Sequence, residues 1–121
     1  MLQHLHDAFP LEGCGIMGGA EGRVQRLYEI ENSLHSPVAY EMEPYQQMRA
    51  MLDLEDAGME MVAIYHSHPT GPQTPSPTDV AQAHYPDAAQ VIVSLADRRR
   101  PSVRAFSVRD GHINEIVLKI V

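Results

Sequence analysis

A single cysteine, Cys14, is all the thiol chemistry this chain has. It makes no internal disulfide and supports no cysteine-based zinc site, so a reducing compartment is the simplest expectation. Basic residues are also scarce: 9 Lys and Arg stand against 16 Asp and Glu, a net charge of −7. That balance argues against nucleic acid or an anionic membrane as the main partner. No apolar run reaches the roughly 18 residues needed to span a bilayer. The opening MLQHLHDAFPLEG lacks the charged-then-apolar layout of a secretory signal, and a cytoplasmic protein is the default expectation. The sequence contains no internal repeat and no low-complexity tract. A TIM barrel takes about twice this length. The expectation is one compact domain over residues 1–121, able to bury a core without disulfide staples. A homodimer is left open.

What is present reads as alternating short elements. MLQHLHDA suits a short helix closed by Pro10. GCGIMGGAEGRVQRLYEI reads as a hairpin, with a Gly-rich turn at Gly18 to Gly22 and a second strand from Arg23 to Ile30. ENSLHSP is a loop and VAYEM a short strand. Pro44 suits a first helical turn. Met48, Met51, Leu52 and Leu54 then fall at helical spacing until Gly58. MEMVAIYHSH is an apolar run rich in strand formers, expected as a central strand. TDVAQAHY reads as a helix stopped before Pro86, and AQVIVSLA as a buried strand. SVRAFSVRD and GHINEIVLKIV read as strands joined at Asp110-Gly111. The order predicts an α/β domain with a mixed, largely antiparallel sheet flanked by helices.

The chemistry concentrates in YHSHPTGPQTPSPTDV, residues 65–80. Alternation along a strand points His66 and His68 to the same face. Two neutral imidazoles on one face suit zinc, although an isolated H-x-H is more simply a pair of surface histidines. PSPTD reads as a helix start, with Ser76 as N-cap, Pro77 first and Asp79 third. That spacing gives Asp79 a structural role in a capping box, but the motif prefers a longer Glu or Gln. The shorter Asp79 is expected to remain free to point at His66 and His68. Two histidines and one carboxylate on a tetrahedral zinc leave a fourth position open to water, the catalytic arrangement. The prolines restrict the loop carrying the third ligand, or simply make a stiff surface loop. Hydrolysis also needs a base. Glu12, in FPLEGCG before an apolar strand, is the candidate, though spacing alone does not single it out from the other glutamates.

Together these residues resemble the JAMM (MPN-plus) metallopeptidases in their short prokaryotic form. That family's signature is an upstream glutamate followed by H-[ST]-H-P-x(6)-S-x(2)-D. Glu12, His66-Ser67-His68-Pro69, Ser76 and Asp79 meet it at every spacing. EGCGIMGG is similar to the family's E-x-C-G segment, and Asn32, Tyr40 and Pro44 fall in its N…aromatic…P region. MVAIYHSHP follows its strand pattern, except that the glycine lies earlier, at Gly58. The resemblance spans the chain to about residue 95. It implies a curved mixed sheet akin to cytidine deaminases, and one zinc ion per chain on His66, His68 and Asp79. It implies that Glu12 holds and deprotonates the water and carries the proton to the leaving amine. Ser76 would donate to the oxyanion. The deaminase activity itself is excluded, since P-C-x-x-C needs two cysteines.

The resemblance further implies cleavage after the C-terminal Gly-Gly of a ubiquitin-like protein. A chain too short for the insertions of the eukaryotic enzymes suggests a β-grasp sulfur-carrier protein as partner. Its tail is expected beside an edge strand around Val38 to Met42. The bond cut, to a terminal cysteine, an isopeptide lysine or a C-terminal extension, is left open. Two rival readings are a catalytically silent MPN-type scaffold, which typically loses the ligands, and a zinc-stabilised binding module, which normally uses four protein ligands. Cys14 reads as a small buried residue. His4, His6, His35, His84 and His112 read as solvent-facing, Arg98 to Arg100 as a solvated turn, and the methionines from Met42 to Met61 as core.

Overall fold

The computed structural model describes residues 1–119. In chain order its elements are α1 Leu2–Ala8, β1 Cys14–Ala20, β2 Arg23–Ile30, α2 Pro44–Asp56, β3 Glu60–His68, α3 Pro77–Ala81, β4 Ala89–Ser94, β5 Ser102–Arg109 and β6 His112–Ile116. The strands form one sheet in the order β2-β1-β3-β4-β5-β6. Only β3 and β4 run parallel; every other neighbouring pair is antiparallel. This is the mixed, largely antiparallel α/β architecture expected from the sequence. Among the described residues no helix is long and apolar enough to cross a membrane.

Strand alternation sets the layers. Ala63 and Tyr65 of β3 join Val91 and Val93 of β4 under Leu5 of α1. Ile64, one residue out of phase, joins Cys14 and Ile16 of β1 under Ala50 and Leu54 of α2. Both faces of the central strands are therefore buried, which is why β3 and β4 are apolar without polar alternation. Because β3 and β4 are parallel, their C-terminal ends lie side by side, and Leu95 donates its N–H to the His68 carbonyl at 3.0 Å. The His66 and His68 side chains emerge there, on the α2 face.

Several expectations need correcting. The first turn is Glu21-Gly22, both at positive φ, while Gly18 and Gly19 lie in β1. A Cβ at Gly18 would meet Leu54 and one at Gly19 the Arg23 carbonyl, so these glycines serve close approach beside a bulge. Residues 38–41 form no strand; Met42 makes only an isolated bridge with Asn32. Asn32 competes there, its Oδ1 accepting from the N–H groups of Leu34 and Glu41 and its Nδ2 donating to the Ala39 carbonyl. The sheet edges are β2 and β6, so the edge-strand contact expected at Val38 to Met42 is not available. The α3 helix is five residues and stops well before Tyr85; none of its side chains is buried, so nothing packs to extend it. Finally, α2 buries Ala50 and Leu54, while Met48 is 50% and Leu52 48% exposed; of the methionines only Met42 is fully in the core.

Gly15 pairs with Tyr65 across β1 and β3, and a Cβ there would clash with Tyr65 Cζ and with its hydroxyl oxygen. Tyr65 is fully buried and accepts or donates a 2.8 Å hydrogen bond with His4 Nδ1, so the ring has nowhere to retreat, and His4 is half-buried rather than solvent-facing. Gly15→Ala is expected to cost about 2–3 kcal/mol through overpacking. Urea unfolding checks this, and a loss below about 0.5 kcal/mol, the level of an ordinary surface change, would mean the ring has room to move.

Candidate metal centre

His66 is delivered by the last turn of alternation in β3, with no solvent exposure, and His68 follows at the strand end. Their Nε2 atoms stand 3.1 Å apart. Asp79 Oδ2 lies 3.2 Å from His66 Nε2 and 3.0 Å from His68 Nε2. Three atoms thus form a nearly equilateral triangle. Ligand atoms on a tetrahedral zinc with bonds of about 2.0–2.1 Å stand about 3.3–3.4 Å apart, so the triangle is close to the size such an ion requires.

Proton accounting supports the same fit. His68 Nδ1 lies 2.8 Å from the Pro72 carbonyl, which only accepts, so Nδ1 carries the proton. In neutral His68, Nε2 therefore presents a lone pair to the Asp79 carboxylate, and two lone pairs at this distance call for a cation between them. Burial alone would lower the His68 pKa, but its hydrogen bonds to Asp79 and Pro72 outweigh that and raise it. Burial lowers the His66 pKa despite the opposing bond to Asp79, and His66 Nδ1 is buried with no partner among the described residues. Partial burial would raise the Asp79 pKa, yet its bonds to the two histidines hold its carboxyl far below the usual carboxylate range.

The α3 N-terminus places Asp79. Ser76 Oγ accepts from Asp79 N at 3.0 Å and Asp79 Oδ2 accepts from Ser76 N at 2.9 Å, closing the capping box. The shorter carboxylate does reach back, contrary to expectation, and the same Oδ2 that caps the helix also faces both histidines. Pro77 at the first helical position fixes the approach. Ser76 Oγ serves only as an acceptor among the described residues, which leaves its proton unassigned.

Glu12 comes from the other side of the sheet order, just before β1. It is 4% exposed, and a carboxylate oxygen lies within 4.8 Å of ligand nitrogens of His66 and His68. Its Oε1 is buried without a partner. Burial is the main cause that pushes its pKa up to about 7, against the pull of His68 and with the help of Asp79. A carboxyl with its pKa raised toward neutrality, close to His66 and His68 without a hydrogen bond to either, has properties suited to a general base.

Three supporting residues fall in the family pattern noted above, but the sequence assigns them no role. Ser67 points to the opposite face, where its Oγ accepts from Gly13 N at 2.9 Å and its own N–H reaches the Gly13 carbonyl, tying the Glu12 segment to β3. Asn32 Nδ2 donates to the Glu12 carbonyl at 3.0 Å. The Tyr40 ring stacks on His66 with centroids 4.6 Å apart. Ser67 could have been found from the alternation that turns it away from its two neighbours; Asn32 and Tyr40 depend on contacts across the fold. Cys14 is fully buried, its thiol pushed up to about 12 by burial first and by Glu12 second, consistent with a packing role.

Residues 1–109 match the family described as prokaryotic homologs of the JAB domain. The chain is 36% identical to the CysO-cysteine peptidase of Mycobacterium tuberculosis over 123 residues, covering 100% of this chain and 84% of that protein. It is 40% identical to a probable TtuB-protein conjugate cleaving protease of Thermus thermophilus over 119 residues, covering 98% and 74%. Among solved structures, protein DSY2949 from Desulfitobacterium hafniense superposes with a TM-score of 0.85 at 33% identity, covering 96% of this chain and 82% of that one. A fold, a histidine-carboxylate cluster and a sequence match that agree over nearly the whole length place the chain in the prokaryotic JAB-domain family, the JAMM family its motif resembles.

Proposed function

We propose that this chain is one zinc metallopeptidase domain that hydrolyses the peptide or isopeptide bond following the C-terminal Gly-Gly of a ubiquitin-like or sulfur-carrier β-grasp protein. The observation that carries the reading is the triangle of His66 Nε2, His68 Nε2 and Asp79 Oδ2, with an unpartnered Glu12 carboxylate beside it. Relatives that act on CysO-cysteine and on TtuB-protein conjugates support the substrate class.

In this reading His66, His68 and Asp79 would hold one zinc ion, which would supply the Lewis acidity for activating water and polarising the scissile carbonyl. The chain's own residues do the rest. Glu12, in its carboxylate form, accepts the proton of the attacking water and returns it to the departing amine. Ser76 turns its hydroxyl proton toward the oxygen that gains charge, while its lone pair still caps α3. Tyr40 covers the His66 ring and keeps water from its far side. The Pro72 carbonyl holds His68 in the tautomer that presents Nε2.

Ser76 gives the sharpest test, because its two roles make different forecasts. As a cap alone, Ser76→Ala costs about 1 kcal/mol of stability and leaves turnover nearly intact. As an oxyanion donor it lowers kcat roughly 10²-fold, on the order of 3 kcal/mol in the transition state. Ser76→Asp restores the cap, yet a carboxylate has no proton to donate and repels the developing charge. The Asp variant is expected to be folded, stable and nearly inactive. Melting temperature, zinc content and turnover of both variants decide the matter; recovery of stability and activity together in Ser76→Asp would leave Ser76 a cap only.

A further inference from the structure

An imidazole that binds a metal presents its lone pair in the plane of the ring. The torsion that turns this plane is broad and roughly two-fold, so it selects no single orientation by itself. Metal-bound histidines almost always settle the matter by donating the second ring N–H to a fixed acceptor. His68 follows that rule, with Nδ1 at 2.8 Å from the Pro72 carbonyl. His66 does not: its Nδ1 is buried and has no hydrogen-bond partner among the described residues. Strand β3 fixes where the His66 side chain starts, but no such bond fixes how its ring is turned.

An aromatic face takes the place of that bond. The Tyr40 ring lies on His66 with centroids 4.6 Å apart and planes 28° from parallel, a separation at which ring pairs attract. Turning the imidazole out of this plane would drive its edge into the tyrosine. His68 meets the same ring at 67° with centroids 4.8 Å apart, an edge-type contact, so the near-parallel neighbour is Tyr40.

Tyr40 is itself held. It lies in a segment without regular structure, yet Asn32 grips the backbone on both sides of it. Asn32 Nδ2 donates to the Ala39 carbonyl at 3.0 Å and Oδ1 accepts from the Glu41 N–H at 3.1 Å. Ser33 adds donations from its N–H and Oγ to the Glu41 carbonyl, and the Tyr40 ring packs against the core under α2. Asn32 is buried, and its Nδ2 also donates to the Glu12 carbonyl. One carboxamide therefore places both the stacking ring and the segment that carries Glu12.

We infer that Tyr40 is a positioning residue of the metal centre: its ring sets the plane of His66 in place of a hydrogen bond, and so aims Nε2 at the site shared with His68 and Asp79. The inference rests on His66 being a metal ligand, as proposed above, and its test separates the two. The planar face carries the role, so the hydroxyl is dispensable and an aliphatic side chain of similar bulk is no substitute.

The full chain is titrated with zinc against a chromogenic competitor as wild type, Tyr40→Phe, Tyr40→Leu, Tyr40→Met and His66→Ala, with metal-free melting curves to establish that each is folded. Tyr40→Phe is expected to hold zinc within about 2-fold of wild type, and the Leu and Met variants about 10-fold more weakly, the scale of losing a supporting contact to a metal-bound histidine. A second readout needs no metal. The carbon-bound ring protons of His66 in the metal-free protein should give one sharp set of resonances in wild type and Tyr40→Phe, and broadened or doubled resonances in Tyr40→Leu. Broadened or doubled His66 resonances in folded wild type overturn the inference without any variant. Equal zinc affinity in wild type and Tyr40→Leu overturns it too, as does a loss in Tyr40→Phe as large as that in Tyr40→Leu. Equal zinc affinity in wild type and His66→Ala would instead remove His66 from the metal site, and with it the reading on which the inference rests.

Discussion

Chelation is expected to abolish turnover and to lower the melting temperature by on the order of 10 °C or more. The second effect follows from linkage: a metal present at 1,000 times its Kd stabilises the fold by about 4 kcal/mol, which in a domain of this size is a shift of that order. It also follows from local structure, since without a cation the His68 Nε2 and Asp79 Oδ2 lone pairs face each other at 3.0 Å. A proton is the alternative occupant. His68 has its pKa raised above the ordinary 6.5, so protons compete with metal at pH values above that of a free imidazole, and zinc release should begin correspondingly early on acidification. In the metal-free chain the protonated His68 contributes stability that is complete below pH 6.5 and is lost as pH rises through its raised folded pKa. His68→Ala should lose zinc and activity together, because two remaining ligands hold the ion poorly. Elemental analysis, a chromogenic zinc indicator and thermal melts make the comparison. Full activity in the absence of any divalent metal would end the metallopeptidase reading.

Glu12→Gln is the second large effect. The substitution keeps the shape of the side chain and removes its capacity to take a proton, so turnover should fall roughly 10²-fold or more while zinc stays bound. A pH experiment on the metal-free protein adds an independent sign. Glu12 titrates at about 7 in the folded chain against an ordinary 4.5, so the folded state binds this proton more tightly than the unfolded state. Stability from this group is therefore complete below pH 4.5 and declines as pH rises through 7. The Gln variant lacks that decline, and its stability should fall less over the same window. Turnover retained with zinc bound would refute the base assignment; loss of zinc would mean instead that the carboxylate is a ligand.

Much of the fold is legible in the sequence because it is written locally. The β1–β2 pair, the α2 span and the central β3 strand each have their own periodicity and stop signals. Residues 38–42 have strand-forming composition, but the Asn32 carboxamide satisfies the backbone groups that a neighbouring strand would have used. The α3 pattern extends past Ala81 on paper, yet an unburied helix gains nothing by continuing. The site divides in the same way. His66, His68, Ser76 and Asp79 lie within one short segment whose spacing fixes their faces. Glu12 is legible only through the motif, because it is positioned from afar by Ser67 through Gly13 and by Asn32.

If the cluster holds a cation as proposed, the double duty of Asp79 Oδ2, which accepts the Ser76 amide proton and faces both imidazoles, would make helix nucleation and cation capture a single cooperative event. Lengthening the side chain by one methylene in Asp79→Glu would satisfy the capping geometry better and misplace the oxygen for the histidines, so the two demands pull in opposite directions and only the shorter acid meets both. The amide of Ser76 then becomes a reporter. Its protection against hydrogen exchange should track occupancy of the histidine cluster, so that an isotope label on one backbone nitrogen reads out metal affinity without any substrate being cut.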